Sequence, residues 1–387
     1  MESCFQKQLL IQTSFRKKEE GCVIKKVGTA VIGLGTMGPI HAEWLTMIPE
    51  AELRAVCDID ENRAKEIASE RHVDWYTDYH EVLERKDIEA VTIVTPNYLH
   101  APMAIEAAKA GKHVAVEKPF CRNLKEADEM IRAVKKAGVL DLYCENLCFA
   151  PSYSMAKDII DEGGLGDIYM VRCREAGGVG ASPELKKYMA SQKEPETWYA
   201  DYEKAGGGML LSTGIHCITY IRYILNREPV TKVYAELKTI LFPDERIEDV
   251  ALVTVRYKGG QLGWIDTAMS ALGTFDDRAE IYGTQGTVFL DMYRRNPILV
   301  YSQPGYGTIG SSMFEPGLGA DKNWSYPIPD EKRALGYWHE QRHFMKCILA
   351  GERPKINFDD GKASVEVVMA AYKSHATGNA VSLPLKE

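Results

Sequence analysis

Two groups of residues in this chain have the types and spacing to do chemistry together. Gly33-Leu34-Gly35-Thr36-Met37-Gly38 is a G-x-G-x-x-G run between a strand-like and a helix-like stretch. Its glycines permit a tight turn, and its backbone N–H groups and helix dipole can meet a pyrophosphate. Asp58 lies 20 residues past Gly38 at the end of the next strand-like stretch, where it can accept hydrogen bonds from ribose hydroxyls. With Ile59-Asp60 following, Asp58 repels a 2′-phosphate, so the expected cofactor is NAD rather than NADP, although Arg63 is an opposing charge nearby. Lys118, in Val114-Ala115-Val116-Glu117-Lys118-Pro119, stands at the mouth of a further buried strand. It presents a cation, fixed by proline, close to the reactive end of that cofactor. Together the motifs point to an enzyme.

The elements that must hold these residues alternate. Strands are expected over 27–34, 53–58, 90–94, 113–116 and 139–143, with helices over 37–48, 61–70, 101–110 and 124–137. That rhythm gives an α/β Rossmann domain, a doubly wound parallel sheet. After Phe149-Ala150-Pro151 it changes to a helix over 153–162 and β-branched strands over 168–174, 232–240, 249–257, 261–269, 279–282 and 287–292. Gly-rich turns separate them, as in an α+β domain with a large open, mainly antiparallel sheet. A long loop is expected over 304–329, followed by helices over 335–350 and 361–378. The expected division is an extension over 1–26, a dinucleotide-binding domain over 27–148 and a substrate-binding and oligomerisation domain over 149–387.

Composition narrows the class. A chain of 387 residues exceeds one ordinary core and suits two domains of roughly 100–200 residues. Its 45% hydrophobic and 26% charged residues are those of a soluble globular protein. With 47 Lys+Arg against 55 Asp+Glu, the net charge of -8 gives no bias toward nucleic acid or anionic membranes. No apolar run approaches the ~20 residues of a membrane helix, and the first 26 residues lack a signal peptide's apolar core. Nine scattered cysteines suit reduced thiols, so the expected location is cytoplasmic. Cys144-x-x-x-Cys148 has no second pair to complete a metal site. His339-Glu340-Gln341-Arg342-His343 matches the zinc-protease H-E-x-x-H pattern but has no clear third ligand, so no metal is expected.

Thr95-Pro96-Asn97-Tyr98-Leu99-His100, Glu117-Lys118-Pro119 and Gly206-Gly207-Gly208-Met209-Leu210-Leu211-Ser212-Thr213-Gly214-Ile215-His216 occur in that order. Together they make the chain resemble the Gfo/Idh/MocA oxidoreductase family from about Val27 onward. The resemblance implies a Rossmann domain holding a nicotinamide cofactor and a C-terminal open sheet that covers substrate and often joins subunits. It implies hydride transfer at a secondary alcohol or ketone of a sugar, cyclitol or glycoside. By the same resemblance Thr95, Asn97 and His100 line the nicotinamide side, Glu117 contacts its ribose, Asn146 helps close the site, and Lys118 meets the substrate hydroxyl. The family's Lys-Pro bond is often cis, which suits the tertiary amide at Pro119. Glu340 and Phe344 fall on its structural Glu-x-x-x-Phe pattern.

Oxidation of an alcohol needs a base and a cation at the oxygen, and His216 is the candidate base because imidazole titrates near neutrality, with Lys118 stabilising the alkoxide. Ser212 departs from the family pattern, which usually carries an acid there. A serine can bond a sugar hydroxyl but cannot act as a general base, so the proton route rests on Lys118 and His216 or on a carboxylate such as Glu145. Cys148, where many relatives carry a basic or aromatic polar residue, argues against a phosphorylated or carboxylated substrate. Trp198, Tyr199 and Tyr202 suit either a sugar-stacking wall or the core. Three functions fit: an NAD-dependent dehydrogenase acting on a ring hydroxyl, including C3 of a glycoside; a redox-neutral enzyme that cleaves glycosidic bonds with tightly bound NAD; and a non-catalytic NAD-binding regulator. Retention of Lys118 and His216 argues against the last.

Overall fold

The computed structural model describes residues 25–177, 198–269, 275–292, 300–302, 323–325 and 331–386. Most of the expected extension over 1–26 and of the expected loop over 304–329 lies outside the described residues. The first half runs β1 (Val27–Ile32), α1 (Gly38–Met47), β2 (Ala51–Cys57), α2 (Glu61–Arg71), β3 (Asp74–Tyr76), α3 (Tyr79–Glu84), β4 (Ala90–Ile93), α4 (Asn97–Lys109), β5 (His113–Val116), α5 (Leu124–Ala137) and β6 (Asp141–Tyr143). Its strands are all parallel, in the order β3-β2-β1-β4-β5-β6. Every residue of β1 and β4 is buried, because helices cover both faces of the sheet. The winding reverses between β1 and β4, and the loops that follow these strands open onto one crevice. The sequence expectation lacked β3 and α3. Asp74-Trp75-Tyr76 is a short, mostly exposed edge strand, whose composition carries no buried-strand signal.

A turn of 3-10 helix, Asn146–Phe149, leads into the second half: α6 (Pro151–Asp161), β7 (Ile168–Gly177), α7 (Tyr202–Ala205), α8 (Ile215–Ile224), β8 (Val230–Lys238), β9 (Val250–Tyr257), β10 (Leu262–Ala268), β11 (Phe275–Gly283) and β12 (Thr287–Asp291). There follow a small pair, β13 (Val300–Ser302) and β14 (Asn323–Ser325), then α9 (Glu331–Ala334), α10 (Tyr337–Ala350), α11 (Phe358–Thr377) and β15 (Val381–Ser382). The large sheet has the order β12-β11-β7-β10-β9-β8-β15. It is antiparallel except that β7 and β10 pair in parallel. The alternation of side chains is the same for either direction, so the sequence could not reveal that pair. Along β9, Ala251, Val253, Val255 and Tyr257 point inward while Leu252, Thr254 and Arg256 face out. The inward face packs on α8 and α11, and the outward face is open.

The halves share one continuous apolar core. Helix α10 returns to the first half and packs on α1, with Tyr337 stacked on Trp44 at 4.6 Å between ring centroids. Helix α11 begins with a capping box at Asn357 and lies against α5 and β8. The junction that holds Lys118 is therefore braced by two C-terminal helices.

Candidate active site

The glycine loop is built for close approach. Gly33 has φ +94°, and a Cβ there would sit 2.4 Å from the Val94 carbonyl oxygen. At Gly38 a Cβ would lie 2.0 Å from the Gly33 oxygen, so α1 can begin directly beneath the turn. Asp58 is 8% exposed; its carboxylate accepts from Leu34 N at 2.6 Å and from Asp60 N at 2.9 Å. It thus ties the loop to the end of β2 and retains acceptor capacity for a ribose. Arg63 lies 3.7 Å from both Asp58 and Asp60, so its charge is spent on two acids.

From this loop a cleft of about 360 Å³ runs past Thr95 and Asn97 to Glu117, Lys118 and Ser212. Gly35, Thr36, Met37 and Asp58 also line it, as do Trp198 and Tyr199, whose rings stack at 3.8 Å. The Thr95 hydroxyl is buried on this cleft without a hydrogen-bond partner among the described residues. An orphaned hydroxyl, an open glycine turn, a helix N-terminus and a buried carboxylate with spare acceptor capacity fit a dinucleotide. Gly33, Gly35, Thr36, Asp58 and Thr95, which line the cleft, would hold it.

Lys118 follows β5 on a cis peptide bond to Pro119. Its Nζ donates to the backbone oxygen of Ser212 at 3.0 Å, bridging the two halves of the chain. Glu117 behind it accepts from Lys118 N at 2.8 Å and contacts His41 Nε2 at 2.7 Å. Burial pushes the Glu117 pKa up, but His41 and Lys118 outweigh it and hold the carboxyl below its ordinary value. Glu117 is thus an anion that fixes the lysine backbone.

His216 opens α8, just after a π-helical turn, Leu210–Gly214. Buried Glu248 holds that turn, accepting from Gly208 N at 3.0 Å and Leu210 N at 2.7 Å. A Cβ on Gly208 would lie 2.0 Å from the Glu248 backbone oxygen, which explains the glycine there. His216 Nδ1 meets Glu145 Oε1 at 2.6 Å, and Nε2 lies 4.0 Å from Glu175 Oε1. Burial pushes His216 down to about 4 and Glu145 well up, favouring their neutral forms. The acid then donates to Nδ1, which leaves the ring proton on Nε2.

The sequence expectations fare unequally in this geometry. The structure brings Lys118 and Ser212 together, but through the serine's backbone oxygen. Asn97 lines the cleft and donates to Ala205 O at 2.7 Å. His100 was expected on the nicotinamide side; it is instead 1% exposed, with its two nitrogens 2.8 Å from the Thr95 and Pro119 carbonyls. It stitches two loops together. Asn146, expected to close the site, donates to Leu335 O at 2.8 Å and is likewise buried. Leu34 packs in the core, contributing only its backbone N–H to the loop.

Glu175, His41 and Glu248 had no motif to announce them. The available signal for Glu175 was parity: it shares the inward register of β7 with Val171 and Cys173. Arg172 and Arg174 on β7 are paired, with Glu280 at 3.0 Å and Asp276 at 2.8 Å. In the H-E-x-x-H stretch, Glu340 and Phe344 are fully buried, Arg342 pairs with Glu50 at 2.9 Å and His343 accepts from Lys355 N at 3.0 Å. No group of three residues able to hold a metal occurs among the described residues.

Residues 27–144 match the GFO/IDH/MocA model described as the oxidoreductase family with an NAD-binding Rossmann fold, and residues 153–289 match the GFO/IDH/MocA C-terminal domain. The chain is 31% identical over 359 residues to a myo-inositol 2-dehydrogenase of Thermotoga maritima, covering 91% of this chain and 97% of the relative. It is 32% identical over 368 residues to a scyllo-inositol 2-dehydrogenase (NAD(+)) of Bacillus subtilis, covering 93% and 97%. Among solved structures, GenD2 from gentamicin A biosynthesis in complex with NAD superposes with a TM-score of 0.83 at 27% identity, covering 94% and 98%.

Proposed function

Because this chain belongs to the GFO/IDH/MocA oxidoreductase family, we propose that it moves hydride between NAD and a secondary hydroxyl of a sugar, cyclitol or glycoside. The observation that carries the reading is Lys118, held 3.0 Å from the Ser212 oxygen where the cofactor cleft meets the second half. NAD, when bound, supplies the hydride acceptor. The protein's part is to orient the hydroxyl, hold the negative charge that develops on its oxygen and take its proton. Lys118 places a cation on that oxygen, His216 orients it, and a carboxyl beside His216 receives the proton. The stacked Trp198–Tyr199 pair offers an apolar wall to a sugar ring.

The test is NADH absorbance with free monosaccharides, inositols and aryl glycosides, beginning with myo- and scyllo-inositol, on which the two relatives act by name. Net NADH formation with a cyclitol or sugar is expected. Turnover of a glycoside without net NADH would replace this reading with redox-neutral cleavage. Since Asp58 and Asp60 occupy Arg63 and would stand beside the adenine ribose, NAD should bind about tenfold or more tightly than NADP, some 1.4 kcal/mol. Titration of intrinsic fluorescence with NADH and NADPH measures this, and tighter NADPH binding would contradict it.

The open face of the large sheet supports a homo-oligomer. Tyr234, Leu252, Leu262 and Trp264 are exposed there on the adjoining strands β8, β9 and β10, and Phe289 is exposed on β12 of the same sheet. A second copy of the chain is the proposed cover, for large apolar patches mark interfaces. Trp264→Glu should shift sedimentation to a smaller species, and an unchanged wild-type coefficient would exclude this face. No described helix is long and apolar enough to cross a membrane. The seven described cysteines are buried free thiols, which supports a reducing, cytoplasmic location.

A further inference from the structure

Two carboxyls flank His216; both leave Oε2 buried without a hydrogen-bond partner among the described residues, but only Glu145 is bonded to the ring through its other oxygen. Glu145 is fully buried and bonded to Nδ1. Glu175 comes from the other side, on β7, with Oε1 4.0 Å from Nε2 and 11% of its side chain still open. Its second oxygen, Oε2, is buried and has no hydrogen-bond partner among the described residues. The strand register places Thr267 beside it on β10 and Asp277 beside it on β11. Asp277 is already engaged by the Tyr153 hydroxyl at 2.6 Å. Glu175 is thus a carboxylate next to the candidate base with no structural task.

A gap of 4.0 Å is too long for a hydrogen bond but suits one intervening oxygen. A hydroxyl placed about 2.8 Å from each atom subtends roughly a right angle, so it can accept from Nε2–H while donating to Glu175. Nε2 carries its proton because Glu145 occupies Nδ1, so the imidazole is a donor on this side. Ser212, on the turn before His216, offers only its backbone oxygen to Lys118 and supplies no acid.

We propose that Glu175 accepts the proton of the substrate hydroxyl, while His216 Nε2–H and Lys118 hold the oxygen. This rests on the function proposed above. In the step the O–H bond breaks and a carboxyl O–H forms on Glu175; the carbon–oxygen bond becomes a carbonyl as the C–H hydride leaves to NAD. Burial raises the Glu175 pKa to about 8, opposed by His216 and Lys118 and reinforced by Asp277 and Glu145. Cys217 on α8 and Cys173 on β7 also face it. An acid in that range is matched to proton transfer near neutral pH.

The experiment compares wild type, Glu175→Gln and Glu175→Asp with NAD and the panel sugar that gives the fastest wild-type rate. A base must be ionised, so wild-type kcat should rise with pH through about 8 and then level. Glu175→Gln should lower kcat by about 10²–10⁴-fold and remove that rise, with KM and NADH binding within about threefold. Glu175→Asp should restore part of the rate and the rise. Wild-type kcat or an unaltered pH profile in Glu175→Gln would overturn the assignment. If wild type reduces no NAD with any sugar, the proposed function fails, and Glu175 is read directly by ¹³C NMR of glutamate-labelled full-length protein. A carboxyl resonance lost in Glu175→Gln and titrating near 8 supports it, and one titrating in the ordinary range of about 4 to 5 overturns it.

Discussion

Lys118→Ala is expected to lower kcat by about 10²–10⁴-fold while NADH binding stays within a few-fold of wild type. Lys118 Nζ is held by the Ser212 oxygen at 3.0 Å, and its backbone is held by Glu117, so the ammonium is aimed before substrate arrives. Removing it leaves the alkoxide that forms on hydride transfer without a cation, in a site where burial already disfavours charge. The dinucleotide is held elsewhere, by the turn at Gly33 and the Asp58 carboxylate, so its affinity should survive. A further sign follows from electrostatics: Lys118 lowers the pKa values of both His216 and Glu175, so both rise in its absence. The alkaline rise in residual activity should therefore move to higher pH. Steady-state kinetics and NADH fluorescence titration decide the matter, and wild-type turnover in the variant would remove Lys118 from the chemistry.

His216→Ala should cost a similar factor, about 10²–10⁴-fold in kcat, for a different reason. The ring is the link between Glu145 at 2.6 Å and Glu175 at 4.0 Å, and it orients the hydroxyl between them. Without it the Glu145 carboxyl loses its ring partner in a fully buried position, which should cost about 1–3 kcal/mol of stability as well. Thermal melting measures that loss. His216→Gln, which restores a side-chain hydrogen-bond donor of similar reach, serves as the control for folding. Low kcat in a His216→Gln protein that melts near wild type and still binds NADH would assign the loss to chemistry. Full activity in either variant would exclude the role.

The motifs that organise the first half were legible because their physics is local. The glycine turn, the Asp58 position and the strand–helix alternation each follow from residues within a short span, and the structure reproduces them. His100 and Asn146 show where local reading stops. Both were assigned to the site by resemblance, yet His100 meets the Pro119 carbonyl and Asn146 donates to the Leu335 carbonyl, oxygens that the fold brings near. The side chain of Ser212 is what the sequence displays, whereas its backbone oxygen receives Lys118 from 94 residues away.

By itself, then, the sequence determined a Rossmann domain with an NAD-type turn, a second sheet of alternating strands and a lysine and histidine of the right kinds. Only the tertiary structure decided what stands around them. The Glu145–His216 contact joins residues 71 positions apart, and His41–Glu117 joins residues 76 apart. Glu175 reaches His216 because β7 lies between β10 and β11, a pairing that includes the one parallel neighbour in its sheet. A period-two pattern records which face a residue takes but neither its neighbour nor the direction of that neighbour's strand. The proton chemistry of this site is set by those neighbours, through burial and the carboxyls that burial leaves side by side.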